Sequence, residues 1–382
     1  MKIAIAGAGI GGLAAASLLI DAGHSVTIFD KFDAPRPVGS GLVIQPVGQA
    51  VLHRIGVRDA ALAKGAPVRR MVGQTDQGRQ VLNVSYDIAG DGVFGLGIHR
   101  SGVFDVLLTA AQKRGATLVP GFCVVDRVDQ CLVAENGRTT QPFDLIVDAL
   151  GAHSPLSPLR SRPLPFGAVW GTVDWPDTDL HDNQLSQTYQ AARHMMGVMP
   201  CGLGKAAIFW SLPRGQDAAF RKDGLAAWQD KTTALWPAFE PFARQITDLD
   251  QLSFAQYSHG TLRRMWATGI VHIGDAAHRT SPQLGQGANM ALLDAAALAH
   301  AMAQAQGNQA LKLYLSLRRH HIALYQSMSW LFTPMYQSHN RWLPMARDWV
   351  LYPTSQVPPV PRLLTRVVRG DVISPLGRIK QR

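Results

Sequence analysis

Residues Lys2–Asp30 read "KIAIAGAGIGGLAAASLLIDAGHSVTIFD", and this stretch decides the fold. Lys2 to Ala6 alternate as a short buried strand. Ile10 to Ala22 follow as an alanine-rich helix stopped by Gly23, and "HSVTIFD" returns as a second strand closing on Asp30. A βαβ unit of this kind brings its two strands together in parallel. Between strand and helix, "GAGIGG" spaces Gly7, Gly9 and Gly12 as GxGxxG. Gly7 permits the tight turn, Gly9 lets a pyrophosphate approach the backbone, and Gly12 lets helix and strand pack closely. The helix start, with Ile10 and Gly11, offers unpaired N–H groups and a positive dipole end to phosphate. Asp30 lies 18 residues after Gly12, with Lys31 beside it, where a carboxylate can hydrogen-bond ribose hydroxyls. The pattern implies a dinucleotide and leaves FAD and NAD open.

A second stretch separates those two. In "VHIGDAAHRTSPQLGQGANMALLDA", Val271–Ala295, a strand ends at Gly274-Asp275 and a loop carries Pro282. Gly285-Gln286-Gly287 then precedes a long apolar helix to Gln304. An acid at the loop entry suits a polyol chain. A glycine loop feeding a helix dipole suits the electron-rich pyrimidine edge of a reduced flavin. Three further stretches lie between: "RPVGSGLVIQPVGQAVLHRIGV" (36–57), "GIHRSGVFDVLL" (97–108), whose helix is expected over Val103–Arg114, and "FDLIVDALGAHSPLSPLR" (143–160).

Together these motifs resemble the class A flavoprotein monooxygenases, the aromatic hydroxylases typified by p-hydroxybenzoate and salicylate hydroxylases. The resemblance spans most of the chain. It implies an α/β fold: a Rossmann-type FAD-binding domain, an inserted, mainly antiparallel β-sheet substrate domain, and C-terminal helices. It also assigns residues. Asp30 stands where the family more often has glutamate, and Asp275 would hold the ribityl chain. Gly285, Gln286, Gly287, Ala288 and Asn289 would lie against the isoalloxazine pyrimidine, with Pro282 near the ring's reactive face. Arg100 matches the flavin-side arginine, Arg36 and Gly41 the segment that wraps the cofactor, and Val124 the strand that touches adenine. Gly151 and Ser154 match the third strand's end, but Leu150 replaces the family's aspartate there, and the arginine comes late, at Arg160. Two readings stay open. Either Asp148 or a neighbour takes over or the role is dispensable, or recognition of the pyridine nucleotide is weakened or rearranged.

The chemistry so implied is reduction of FAD by NAD(P)H and capture of O2 as a C4a-hydroperoxide. A hydroxyl then passes to a small aromatic or quinone-like substrate. The flavin carries that chemistry while the protein orients and excludes water, so no side chain is singled out as catalytic. His53, His99 and His278 could act as acid–base groups, but a lone histidine is more often structural, and none is assigned a catalytic role. The substrate pocket is expected between the Pro282 loop and the inserted sheet, among Trp170, Tyr189, Met195, Met196, Met199, Phe209 and Trp210.

A chain of 382 residues with 47% hydrophobic and 17% charged residues is globular and long enough for two domains. The division expected is 1–65, 98–162 and 265–310 for FAD, 66–97 and 163–264 for substrate, and 311–382 for a helical region and basic tail. Helical periodicity returns over Lys312–Trp349, and after Tyr352 prolines are expected to end it. Three scattered cysteines without a CxxC suggest a reducing compartment, no disulfide framework and no metal site. Lys2 and the apolar run after it imitate a signal peptide, but the strand–turn–helix pattern explains them better. No window offers the ~20 apolar residues of a spanning helix, and a cytoplasmic location is expected.

The net charge of +10 concentrates at the end, where 341–382 carries eight basic residues against Asp348 and Asp371. That can mean contact with an anionic membrane or acidic partner, but a solvated helical face with a frayed end is the more ordinary reading. No nucleic-acid motif is present, and monomer and homodimer both stay open. Three alternatives share the two nucleotide motifs: a flavin-dependent reductase or saturase, a halogenase, whose GWxWxIP stretch is missing, and a non-catalytic membrane-peripheral flavoprotein. A plain NAD-dependent dehydrogenase is disfavoured by the second motif.

Overall fold

The computed structural model describes residues 1–33 and 40–379, so the expectation for Arg36 lies outside the described residues. The chain opens with β1 (Lys2–Ala6), α1 (Ile10–Asp21), β2 (Ser25–Phe29), β3 (Gly41–Ile44), α2 (Pro46–Ile55), α3 (Arg58–Leu62) and β4 (Ala66–Val68). Next come β5 (Arg70–Thr75), β6 (Gln80–Ser85), β7 (Gly95–His99), α4 (Arg100–Lys113), β8 (Thr117–Val119), β9 (Val124–Val128), β10 (Cys131–Ala134) and β11 (Leu145–Asp148). The middle holds β12 (Arg162–Asp174), β13 (Gln184–Gln190), β14 (His194–Pro200), β15 (Lys205–Pro213), α5 (Asp217–Leu235), α6 (Glu240–Ala243) and β16 (Ser253–Thr261). The last third has β17 (Trp266–Ala267), β18 (Ile270–His272), β19 (His278–Arg279), α7 (Gly287–Gln304), α8 (Gly307–Tyr336), α9 (Trp342–Ala346), α10 (Tyr352–Ser355) and α11 (Val360–Arg369).

One sheet runs β17-β18-β11-β1-β2-β8 and is parallel except at β17–β18. Its central strands are apolar without alternation and almost wholly buried, as a sheet covered on both faces requires. α1, α4, α7 and α8 supply one main core. The second large sheet runs β19-β16-β12-β15-β14-β13-β5-β6, antiparallel except where β13 meets β5. Alternation divides its side chains between two faces. Val169, Met196, Ile208 and Trp210 point outward beneath Trp228, Phe239 and Phe242 of the helical layer. Trp170, Tyr189, Met195 and Phe209 point inward.

A third sheet, β3-β7-β4, joins the two large ones. A Cβ on Gly41 would lie 2.5 Å from Ala207 Cβ, and one on Gly97 2.1 Å from Pro200 O, so only glycines allow this approach. From the stretch 66–97 only β5 and β6 enter the substrate sheet, whereas β7 pairs with β3 on one side and β4 on the other. α4 begins at Arg100, not Val103, because the His99 side chain caps it by accepting from Ser101 N. α8 runs through the boundary drawn at residue 310, since its apolar face (Leu311, Tyr314, Leu317) completes the FAD-side core.

The expectation that prolines end regular structure after Tyr352 is corrected. Pro361 occupies the first turn of α11, where a missing N–H costs nothing. Nor is this segment frayed. Val367 is buried and its carbonyl accepts from Tyr325 Oη at 2.9 Å, and Thr365 Oγ1 donates to Ser85 O at 2.9 Å. Among the described residues no helix is long and apolar enough to cross a membrane.

Candidate active site

The first glycine turn is built by close approach. Gly7 has φ +105°, and a Cβ on it would sit 2.6 Å from Ala149 O; a Cβ on Gly12 would sit 2.0 Å from Gly7 O. Gly11 packs against Ala291 of α7, and Ile10 is buried in the core. Gly9 differs. It is exposed at the cap of α1, and nothing lies within 4 Å of where its Cβ would be. Of the five N-terminal residues singled out, Gly9 alone opens onto a surface, with the free amides of the helix start behind it.

Asp30 braces this turn. One carboxylate oxygen accepts from Ala8 N at 2.8 Å and the other from Phe32 N at 3.1 Å, and the residue stays half-buried. Each oxygen keeps a further lone pair for a hydroxyl. Lys31 is exposed, with its ammonium over the Phe32 ring. Val124 packs its side chain into a small core with Phe29 and Phe122, so only its backbone is free to face a ligand. Half-buried Cys123 lies nearby; burial and the Glu135 carboxylate raise its thiol pKa.

On the flavin side, Asp275 follows β18 in a tight turn opened by Gly274 at φ +58°. Its side chain is exposed yet crowded by protein on other sides, as on a cleft wall. Lost hydration raises its pKa, and His278, Arg100 and Arg279 pull it back. Arg100 is exposed at the first position of α4, and its charge favours the ionised Asp275. The Pro282–Leu284 turn ends on Gly285 at φ +60°, and exposed Gly287 starts α7 with open space at its Cβ position. The free amides of Gly287 and half-buried Ala288 crown an 18-residue helix.

Two residues of this loop turn out to face inward. Asn289 is fully buried: its Oδ1 accepts from Gln45 N at 2.8 Å, and its Nδ2 donates to Val43 O and Gly285 O. Gln286 Nε2 donates to Val368 O at 2.7 Å. Their side chains set the loop's shape and cannot contact a cofactor; only their backbones remain for that.

Behind the loop lies a buried charge network that the sequence did not reveal. Asp294 accepts from Gly274 N at 2.8 Å, His278 Nε2 at 2.7 Å and Arg318 Nε at 2.6 Å. Burial alone would raise its pKa, but His278 and Arg318 reverse this and hold it well below the usual carboxylate range. Arg318 Nη1 donates to His321 Nδ1 at 3.1 Å, so Nε2–H of that ring donates to Gly370 O at 2.9 Å. His278 is thus a structural donor sealed from the cleft. His99 is the α4 cap, and His53 is exposed on α2.

Leu150 can now be placed. Asp148 is fully buried, and its carboxylate is consumed by His272 Nδ1 at 2.7 Å, Ser154 Oγ at 2.8 Å and Leu150 N at 3.1 Å. It cannot substitute for an acid at position 150. Leu150 packs beside Phe122 and Val124, Gly151 (φ +78°) has open space around it, and Arg160 is exposed.

The inner face of the large sheet completes the cleft. Register places Trp170 opposite Phe209, with ring centroids 4.8 Å apart, and Tyr189 opposite Met195. Trp170 Nε1 donates to Tyr257 Oη at 2.8 Å, and Gln283 of the proline loop reaches Met195 Sδ at 3.7 Å. Met196 and Trp210 are removed from the expected pocket because alternation turns them to the outer face, and Met199 packs against Val43. A hydroxyl cluster of Ser281, Ser329 and Thr333 ties the proline loop to α8.

These residues fit FAD. Gly9, Gly151 and Gly287 open where a cofactor backbone would pass, two helix N-termini face it, and Asp30 and Asp275 offer carboxylates at the two ends. A profile described as "FAD binding domain" matches residues 1–323. Among curated proteins the chain is 27% identical over 336 residues to 3-amino-4-hydroxybenzoate 2-monooxygenase of Streptomyces cremeus, covering 83% of each chain. It is 25% identical over 318 residues to 6-hydroxynicotinate 3-monooxygenase of Pseudomonas fluorescens, covering 79% of this chain and 82% of that one. Among solved structures, Klebsiella pneumoniae HpxO complexed with FAD and uric acid superposes with a TM-score of 0.86 at 20% identity, over 99% of this chain and 98% of that one. The 2-methyl-3-hydroxypyridine-5-carboxylic acid oxygenase does so at 0.83 and 19%, over 100% and 98%; at such identities the likeness shows the fold alone. The chain belongs to the FAD-binding-domain family and is a class A FAD-dependent aromatic monooxygenase.

Proposed function

We propose that this enzyme hydroxylates a small, electron-rich aromatic or quinone-like substrate, using NAD(P)H as reductant and O2 as the oxygen source. The observation that carries the substrate class is the inner face of the large sheet. Trp170, Phe209, Tyr189, Met195 and Tyr257 supply rings, a thioether and hydroxyls, with the Arg347 guanidinium behind the Tyr189 ring at 5.0 Å. Relatives are named for 3-amino-4-hydroxybenzoate and 6-hydroxynicotinate, and a structural neighbour holds uric acid.

When bound, FAD supplies hydride acceptance and O2 activation. The chain's part is positional. Gly9 and the α1 amides take the pyrophosphate, Asp30 the adenosine ribose, Asp275 with Arg100 the ribityl side, and the amides of Gly287 and Ala288 the pyrimidine edge. Pro282 and the aromatic face exclude water and hold the ring over the reactive side. Scattered, free Cys123, Cys131 and Cys201 support a reducing, cytoplasmic setting, and peripheral membrane contact through the C-terminal segment belongs to the same proposal. The test is a substrate screen on the yellow holoprotein that follows NAD(P)H oxidation, oxygen uptake and product mass together. Product heavier by one oxygen atom supports the reading. Substrate-dependent NAD(P)H oxidation that reduces the substrate and consumes no oxygen refutes it and favours a reductase.

A further inference from the structure

The chain has nine tryptophans, and those that are exposed among the described residues all lie between 330 and 349. Trp330, Trp342 and Trp349 are 66%, 75% and 63% exposed. The helical run from 342 to 355 is inside out. Its outward stripe is Trp342, Met345, Trp349 and Val350, at i, i+3, i+7 and i+8, while its buried residues are Pro344 and Arg347. Arg347 is 2% exposed. Its Nε donates to Asp348 at 2.6 Å and its Nη1 to Met335 O at 3.0 Å, and its guanidinium sits about 5 Å from the Tyr189 and Tyr336 ring centres. A helix adapted to water would do the reverse, burying indoles and hydrating the arginine. The stripe is also held in place: the Arg79 guanidinium of the substrate sheet stacks on Trp349 at 3.5 Å.

Within the segment that carries the stripe, the unpaired charge has one sign. From 330 to 379 the acids are Asp348 and Asp371. Asp348 is bound to Arg347, and Asp371 to Arg366 and Arg369. Arg341 and Arg362 are exposed and, among the described residues, make no ion pair. We propose that this face docks on an anionic lipid bilayer. Trp342, Met345, Trp349 and Val350 would seat at the headgroup boundary while Arg341 and Arg362 meet lipid anions. A second copy fits less well, because a two-fold interface would set each unpaired arginine patch against itself. Docking here depends on none of the flavin chemistry. It would bring the lipid surface to the β6 side of the substrate sheet, where Arg347 reaches Tyr189.

Removing the tail is not a clean test, because Thr365, Val367 and Gly370 hold the core and the flavin loop. The experiment uses the FAD-loaded full chain and sedimentation with vesicles of phosphatidylcholine alone or of equimolar phosphatidylcholine and phosphatidylserine. Binding to the anionic vesicles is expected to exceed that to the neutral ones about 10-fold and to weaken with salt. Trp342→Gln with Trp349→Gln should lower it at least about 10-fold, and Arg341→Glu with Arg362→Glu should abolish the phosphatidylserine preference, with FAD content unchanged. Val128→Gln, an exposed aliphatic on the β9–β10 hairpin, should change nothing. Equal partitioning of wild type and the tryptophan variant overturns the proposal. So does a solution dimer that the tryptophan variant dissolves, since the face would then belong to a second copy.

Discussion

Acidification probes the network behind the flavin loop. His321 is buried, and burial first, then the Arg318 guanidinium, lowers its pKa to about 3. In the unfolded chain an imidazole titrates near ~6.5. Between these values the unfolded state binds one more proton than the folded state, so stability is present above the upper value and drains as pH falls. The limiting slope is about 1.4 kcal/mol per pH unit, or roughly 2 kcal/mol between about pH 6.5 and pH 4.5 once partial protonation is counted. Below that window carboxylates contribute their own loss. Protonation would also place a second cation 3.1 Å from Arg318, whose Nε holds Asp294. The loop carrying Gly274 and Asp275 should therefore loosen with it. The perturbation is His321→Asn, which keeps an acceptor and a donor but does not titrate. The assay is urea unfolding across that window, with flavin fluorescence reporting release. The variant should be the less stable protein at neutral pH, and the difference should shrink by about 2 kcal/mol at the acid end. Parallel pH profiles would falsify the assignment.

Three further outcomes are expected. Gly9→Leu should fold with near-normal thermal stability yet purify colourless, because nothing lies within 4 Å of its Cβ position and the side chain would fill the phosphate approach, whereas Gly12→Ala should lose stability because its Cβ would sit 2.0 Å from Gly7 O. A colourless Gly9→Leu protein that has also lost its fold would count against this division of labour. Asp275→Ala should weaken FAD binding about 10- to 100-fold, the worth of one hydrogen bond to a charged group, read by titrating apoprotein with FAD. Leu150→Asp should raise the rate of flavin reduction by NAD(P)H about 10-fold in stopped-flow absorbance, about 1.4 kcal/mol of barrier; an unchanged or lower rate sinks the idea that the missing acid limits reduction.

What the sequence made legible was local and periodic. β1, α1 and β2 follow from short apolar runs, three spaced glycines and an alanine-rich stretch, and α7 from an apolar stretch opened at Gly287. The cofactor's two ends were readable for the same reason, since Gly9, Asp30 and Asp275 sit in short motifs whose geometry is set by near neighbours. Long-range features stayed hidden. Asp294 and Arg318 lie on successive helices, and nothing local marks either as buried. Met196 and Trp210 looked like pocket residues because strand alternation leaves open which face is inside until the register with β12 and β13 is known. The helix at 342–355 was misleading in another way, since its apolar periodicity reads as core when the structure turns it outward.

The segment from Thr365 to Gly370 holds Ser85 O, Gln286, Tyr325 and His321 at once. These contacts join the last part of the chain to strands and loops made long before it. During synthesis, β1 must wait for β11 and β18 to complete its sheet, and the loop at Gln286 must wait for residue 368 to leave the ribosome. The flavin site is therefore completed only once residue 368 has been made, about 350 residues after its glycine fingerprint at Gly7–Gly12.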